Sequence, residues 1–123
     1  DLAILKVDDK LAASTGGEFV IDLEDGKIHV RSGTSKIIST NKVNNNLWHH
    51  VMFSWNGPLL TDGDLFIDGR LDSTASESGN VTVNTAAGRP LFIGGDNNTA
   101  PDRLNGIVDE IRLWSATTSL ATL

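Results

Sequence analysis

Turn-forming residue pairs recur at short intervals along the whole chain. They are Gly16-Gly17, Asp25-Gly26, Ser32-Gly33, Asn56-Gly57, Asp62-Gly63, Asp68-Gly69, Gly79-Asn80 and Gly94-Gly95. Such pairs favour the tight turns that join antiparallel strands. The stretches between them are too short for a strand followed by a crossover helix. The spacing therefore predicts an all-β chain of short antiparallel strands.

The clearest strand pattern flanks the Asp25-Gly26 pair. Apolar side chains fill every second position from Phe19 to Leu23 and again at Ile28 and Val30. This alternation predicts a hairpin with one buried and one solvated face. Further strands are predicted at 3–7, 36–40, 47–55, 65–68, 70–75, 81–84, 90–93 and 104–114.

Length and charge restrict the class of protein. A chain of 123 residues with 39% hydrophobic residues fits a single domain, 1–123, and without cysteine it has no disulfide framework. Its net charge of −6 disfavours nucleic acid and anionic lipid as partners. Because no apolar run approaches the roughly 20 residues of a membrane helix, we expect no membrane span.

The segment 47–57 carries a family resemblance. It reads Leu47-Trp48-His49-His50-Val51-Met52-Phe53-Ser54-Trp55-Asn56-Gly57. It resembles the laminin G-like and pentraxin branch of the concanavalin A-like jelly rolls. Three more segments match in the family's order: Leu65-Phe66-Ile67-Asp68-Gly69, Leu91-Phe92-Ile93-Gly94-Gly95 and the closing segment 104–114. Met52 stands where pentraxins have a disulfide cysteine, so the kinship to pentraxins is general.

The resemblance implies an antiparallel two-sheet jelly-roll sandwich from about Ile4 to Trp114. Members of this group begin with two or three strands that have no counterpart here, so we expect an N-terminally truncated domain. Missing strands leave open sheet edges that seek partners. We therefore expect a homodimer with residues 1–7 at the interface. The alternative is a monomer in which residues 1–10 take the place of a missing strand.

Hydrolysis by the laminarinase-type jelly roll needs two carboxylates on one side of a strand. The nearest pair is Asp109-Glu110, and adjacent strand residues point to opposite faces. The pattern therefore predicts a noncatalytic domain. Asp109 falls on the same face of the predicted strand as Ile107 and Ile111. We therefore expect its side chain to face the core and to link the last strand to a neighbour through hydrogen bonds.

The loop 95–102 is the candidate ligand site. Its oxygen-bearing side chains are Asp96, Asn97, Asn98 and Asp102. Hard oxygen ligands suit calcium, which several members of the resembled family bind through such loops, with Asp96 and Asp102 as the candidate metal ligands. Aspartate and asparagine also dominate ordinary turns, so the alternative interpretation is a loop with a purely structural role. The loop 58–64 is a weaker second candidate.

All three tryptophans, Trp48, Trp55 and Trp114, fall within predicted strands. We expect them to pack in the core, which leaves no aromatic platform for a sugar ring. His49 and His50 are interpreted as structural because no nucleophile accompanies them.

The resemblance implies a noncatalytic, lectin-like binding module located outside the cell or on its surface. Its leading ligand class is a glycan or glycoconjugate, with calcium as a possible cofactor. The competing interpretation is a structural or protein-adhesion module of a larger surface, phage or secreted protein, and the missing aromatic platform supports it.

Overall fold

The computed structural model describes residues 2–7, 18–56, 59–77, 90–95 and 103–114, with the backbone alone for 73–77. These residues form nine strands and one short 3-10 helix at Leu60–Asp62. The strands are β1 Leu2–Val7, β2 Phe19–Glu24, β3 Lys27–Ser32, β4 Ser35–Lys42, β5 Val51–Ser54, β6 Asp64–Ile67, β7 Arg70–Leu71, β8 Ser73–Glu77 and β9 Leu91–Ile93. The predicted all-β class is confirmed.

The strands form two sheets in which all neighbours are antiparallel. The larger sheet has six strands in the order β8-β4-β3-β2-β1-β9, and the smaller has three in the order β5-β6-β7. Strands predicted at 3–7, 36–40, 65–68 and 90–93 are found within two residues of those bounds. The strand predicted at 81–84 lies outside the described residues. Within the described ranges, no helix has the length and apolar character to cross a membrane.

Two Asp-Gly pairs make tight hairpin turns, as predicted. Asp25 and Gly26 have φ of 52° and 82°, and Asp68 and Gly69 have φ of 53° and 79°. Two consecutive left-handed residues match the turn that follows the natural twist of a hairpin. Gly26 is required for a second reason, since a Cβ there would lie 2.4 Å from Oδ1 of Asn44.

One core fills the space between the sheets. The six-stranded sheet contributes Phe19, which is stacked on Trp55 at 5.2 Å between ring centroids and lies 6.0 Å from Phe53 of β5. Phe53 and Trp55 are themselves stacked at 5.3 Å. These rings join the two sheets. The buried members of the core are Leu5, Phe19, Ile28, Val30, Ile37, Leu60, Leu65 and Ile67.

The strand predicted at 70–75 is divided between the sheets. β7 belongs to the small sheet and β8 to the large one, and Asp72 between them is buried. The Asp72 N–H donates to the Leu65 carbonyl at 2.9 Å, and its carbonyl accepts from the Thr40 N–H at 2.9 Å. The Asp72 carboxylate accepts from Asn41 Nδ2 at 2.6 Å and N at 3.1 Å. This residue therefore bonds to both sheets.

The prediction of a closing strand at 104–114 is wrong. This segment is joined to the fold near its start, where Leu104 N–H donates to the Gly94 carbonyl at 3.0 Å. Asp109 is exposed, so the prediction that its side chain faces the core is also wrong. Glu110 has a φ of 54°, which interrupts the extended backbone that a strand needs. Ile107 and Leu113 remain 79% and 65% exposed.

Two of the three tryptophans are not in the core. Trp48 is 70% exposed and Trp114 is 60% exposed, whereas Trp55 is partly buried against Phe19. The reason for Trp48 is that β5 begins only at Val51, so residues 47–50 precede the strand in which they were predicted. The expectation that no aromatic side chain is available at the surface is therefore wrong.

Candidate functional site

One end of the sandwich collects several connections. The β2–β3 turn lies there, and the connection from β4 to β5 is attached to it because Val43 N–H donates to the Gly26 carbonyl at 2.7 Å. β9 ends beside the start of β1, where Gly94 N–H donates to the Ile4 carbonyl at 2.8 Å. Connections at one end of a rigid sandwich are where such folds place binding residues.

The predicted ligand residues Asp96, Asn97, Asn98 and Asp102 lie outside the described residues. The residues that flank them are described and fixed. Gly94 bonds to β1, and Arg103 forms a parallel bridge with Ala3. Both ends of the loop 95–102 therefore start from the same end of the sandwich as the β2–β3 turn.

Residues 43–50, which we name the Trp48 loop, present an aromatic side chain to solvent. Trp48 and its neighbour Leu47 are each 70% exposed. Asn44 and Asn46 are exposed in the same loop, so carboxamides lie close to the indole in sequence. The sequence signal for this loop is the run Asn44-Asn45-Asn46, because three polar turn-forming residues delay the start of β5.

The His49 side chain holds the Trp48 loop against the β6–β7 turn. Its Nδ1 lies 2.8 Å from Oδ2 of Asp68, and its Nε2 lies 2.8 Å from Oδ1 of Asn45. The other Asp68 oxygen accepts from the His50 N–H at 2.9 Å. The hydrogen bonds from His49 and from the His50 backbone lower the pKa of Asp68 below its usual value. Asp68 is therefore a carboxylate at neutral pH.

This arrangement combines an exposed aromatic face with restrained polar groups. Trp48 offers the flat apolar face, and its loop neighbours Asn45 and His49 are held by hydrogen bonds. A ligand site commonly combines an aromatic surface with a few fixed polar groups that set orientation. The sequence did not predict this candidate site, because the Trp-His-His motif has the pattern of a strand.

A charged cluster lies on the outer face of the six-stranded sheet. Asp22 of β2 is fully buried and is hydrogen-bonded to the Arg31 guanidinium, while His29 Nδ1 lies 3.1 Å from a Glu24 carboxylate oxygen. Burial raises the pKa of Asp22, and the charge of Arg31 offsets part of that rise. Because its carboxylate is enclosed and hydrogen-bonded to Arg31, Asp22 does not present a ligand group to solvent.

Other acidic candidates make local contacts. Asp62 Oδ2 accepts from the Leu59 N–H at 3.2 Å at the start of the 3-10 helix. Asp109 Oδ1 accepts from the Glu110 N–H at 2.8 Å, and Arg112 donates to Glu110 at 2.7 Å. Among the described residues, no group of three or more histidine, aspartate or glutamate side chains is arranged to hold a metal ion.

Two antiparallel sheets around one core, with several loops at one end, define a jelly-roll sandwich of the kind that serves as a binding module. The chain matches a laminin G family model of the concanavalin A-like lectin/glucanases superfamily over residues 4–122. It therefore belongs to this laminin G-like family, as the motif at 47–57 predicted. No curated protein and no solved structure matches the chain.

Proposed function

We propose that the chain is a noncatalytic glycan-binding module that works outside the cell or on its surface and holds its ligand on the Trp48 loop. The observation that carries this proposal is the 70% exposure of Trp48 in a loop fixed by His49 and Asp68. A large aromatic side chain exposed to water has an apolar surface whose burial by a ligand is favourable. The apolar face of a sugar ring can cover it while the ring's hydroxyls bond to the neighbouring polar groups.

The fixed geometry favours recognition. Asn45 accepts from the Leu47 N–H at 3.1 Å and also faces His49, so the backbone on both sides of Trp48 is restrained. A binding site that is already ordered loses less conformational entropy when a ligand binds. A ligand that binds to this loop is therefore expected to lose little affinity to ordering of the loop.

A glycan array tests the proposed function directly. The chain is labelled on a lysine and applied with calcium and with a chelator. We expect a restricted set of glycans to bind, and those glycans to shield indole from iodide quenching. The bound glycans should be recovered uncleaved, and laminarin and lichenan should not be hydrolysed. Binding to none of the glycans, or turnover of either glucan, contradicts the proposal.

Calcium is proposed to assist through the loop 95–102. Support comes from the two carboxylates of Asp96 and Asp102 in the sequence and from the fixed flanks of this loop at Gly94 and Arg103. Calcium at 100 times its Kd is expected to stabilise the chain by about 2.7 kcal/mol.

The calcium prediction is checked by thermal unfolding with calcium, with magnesium and with chelator. The double variant Asp96→Ala, Asp102→Ala should lose the calcium shift. Glu18→Ala is the matched control, since Glu18 is an exposed carboxylate just before β2, outside both candidate loops, and should keep the shift. A calcium shift that survives in the double variant removes this loop from the proposal.

Self-association is the second candidate function. Ile107, Leu113 and Trp114 of the closing segment are 79%, 65% and 60% exposed, and within the described residues β5 is paired along one edge only. An open strand edge and an exposed apolar segment on the same chain are complementary. A second copy could cover this edge with the apolar side chains of its closing segment and receive the same contact in return. This interface replaces the one expected at residues 1–7, because β1 pairs with β2 and β9 inside the six-stranded sheet.

Light scattering after size exclusion tests the homodimer. We expect twice the chain mass of 13.2 kDa at high concentration, with dissociation on dilution. The variant Ile107→Lys with Leu113→Lys should be monomeric throughout. Leu71→Lys, which alters an equally exposed leucine outside that segment, is the control and should still associate. A constant mass near that of one chain over a hundredfold dilution contradicts self-association.

A further inference from the structure

Both ring nitrogens of His49 face oxygen atoms. Nδ1 lies 2.8 Å from Oδ2 of Asp68, and Nε2 lies 2.8 Å from Oδ1 of Asn45. A neutral imidazole carries one N–H and one lone pair, whereas an imidazolium carries two N–H groups. The protonation state of this ring therefore depends on whether both partners are true acceptors.

The orientation of the Asn45 side chain is fixed by a third group. Its Oδ1 also accepts from the Leu47 N–H at 3.1 Å. Exchanging the amide oxygen and nitrogen would place an NH2 group against that N–H, so the network itself assigns the oxygen to this position. Asn45 is thus an acceptor toward His49.

Asp68 is also an acceptor toward His49. One of its oxygens accepts from the His50 N–H at 2.9 Å, and its pKa is lowered chiefly by the hydrogen bond from His49. A carboxylate that stays ionised has no proton to donate. A neutral His49 would therefore leave a lone pair facing either Asn45 or Asp68 at hydrogen-bonding distance.

We propose that His49 is a positioning residue that holds the Trp48 loop against the β6–β7 turn as an imidazolium, so that presentation of Trp48 depends on pH. The glycan-binding consequence rests on the proposed function, whereas the state of the ring and of the loop does not. Loss of the proton breaks one of the two links. The residues next to Trp48 on its C-terminal side are then attached by fewer bonds.

The charged and titratable groups around His49 lie on two elements, the β6–β7 hairpin and the Trp48 loop. Asp68 and Arg70 lie on the β6–β7 hairpin, and His50 follows His49 in the Trp48 loop. An imidazole gains its second N–H as the pH falls, so the two-bond arrangement is favoured at lower pH. The pKa of Asp68 is lowered, so its contribution is present above the unfolded value of 3.8 and lost as the pH falls through the lower folded value.

Nitrogen NMR on the full chain without ligand tests the ring. At about pH 5.5 we expect both His49 nitrogens to be protonated, with the Trp48 indole resonance changing along the same titration. His49→Gln should abolish the pH response of that resonance, because a carboxamide has no charge to lose. His50→Gln is the matched control and should keep the response. A singly protonated His49 at pH 5.5, or a Trp48 resonance indifferent to the titration of His49, overturns the proposal.

Affinity for a glycan identified on the array is the second measurement. Binding is expected to be about two- to fivefold tighter at pH 5.5 than at pH 8, because the hydrogen bond that is gained lies at a solvent-exposed site. The same ratio should be near one in His49→Gln. If no glycan binds but the ring titrates with Trp48, the proposed function fails and the positioning role stands. If a glycan binds equally at both pH values, the coupling is overturned while the proposed function survives.

Discussion

Replacing Phe19 by alanine is expected to lower the free energy of unfolding by about 3–5 kcal/mol. Phe19 is 6% exposed, and its ring lies 5.2 Å from Trp55 and 6.0 Å from Phe53. The substitution removes the large-sheet member of the aromatic contact that joins the two sheets. It also leaves a cavity that stiff strands on both sides cannot close. Urea unfolding followed by circular dichroism measures the loss.

The control for Phe19→Ala is Trp48→Ala. Both remove a large aromatic ring, but Trp48 is 70% exposed, so its removal should change stability by no more than about 0.5 kcal/mol. Equal losses in the two variants would mean that Trp48 packs against a core. A loss below about 1 kcal/mol for Phe19→Ala would mean that the sheets are held together elsewhere.

Trp48→Ala is expected to weaken glycan binding by at least about 30-fold, or about 2 kcal/mol, as for the central aromatic residue of an interface. The reason is that the indole supplies the broad apolar surface of the site, while the neighbouring Asn44 and Asn46 supply only polar atoms. Calorimetry with the glycan identified on the array gives the ratio of affinities.

Trp114→Ala is the matched control for binding. Trp114 is 60% exposed, close to the exposure of Trp48, but it lies in the closing segment rather than in the Trp48 loop. Its removal should leave glycan affinity within about twofold, which corresponds to about 0.4 kcal/mol. Equal effects of the two variants would move the site away from the Trp48 loop or show that dimerisation contributes to binding.

The β2–β3 hairpin could be predicted because every signal for it is local. Apolar side chains alternate on either side of Asp25-Gly26, and the turn needs only those two residues in left-handed backbone. The hairpin is found, with Ile21 opposite Val30. The solvated face that was predicted for it is wrong, because Val20, Asp22 and His29 on that face are buried. The family and the sandwich architecture followed from short motifs that are local in sequence, although residues 47–50 and 104–114 of those motifs do not form strands.

The closing segment could not be predicted because a strand requires a partner. Ile107 and Ile111 alternate as a buried strand does, yet the described part of the chain offers this segment no ladder beyond Arg103. The Trp48 loop was not predicted as a candidate site for a similar reason, since it depends on contacts between strands. The contact between His49 and Asp68 depends on the register of β5 against β6, which places Val51 opposite Ile67, and no local pattern specifies that register.

Asp72 has a consequence for how the domain opens. Its N–H bonds to β6 in one sheet and its carbonyl and carboxylate bond to β4 in the other, so neither sheet can fray at this point without loosening its neighbour. Amide hydrogen exchange should therefore report one shared opening for the Asp72 and Thr40 N–H groups. The chain crossing between the layers makes the two sheets a single cooperative unit, in which a local disturbance in one layer is transmitted to the other.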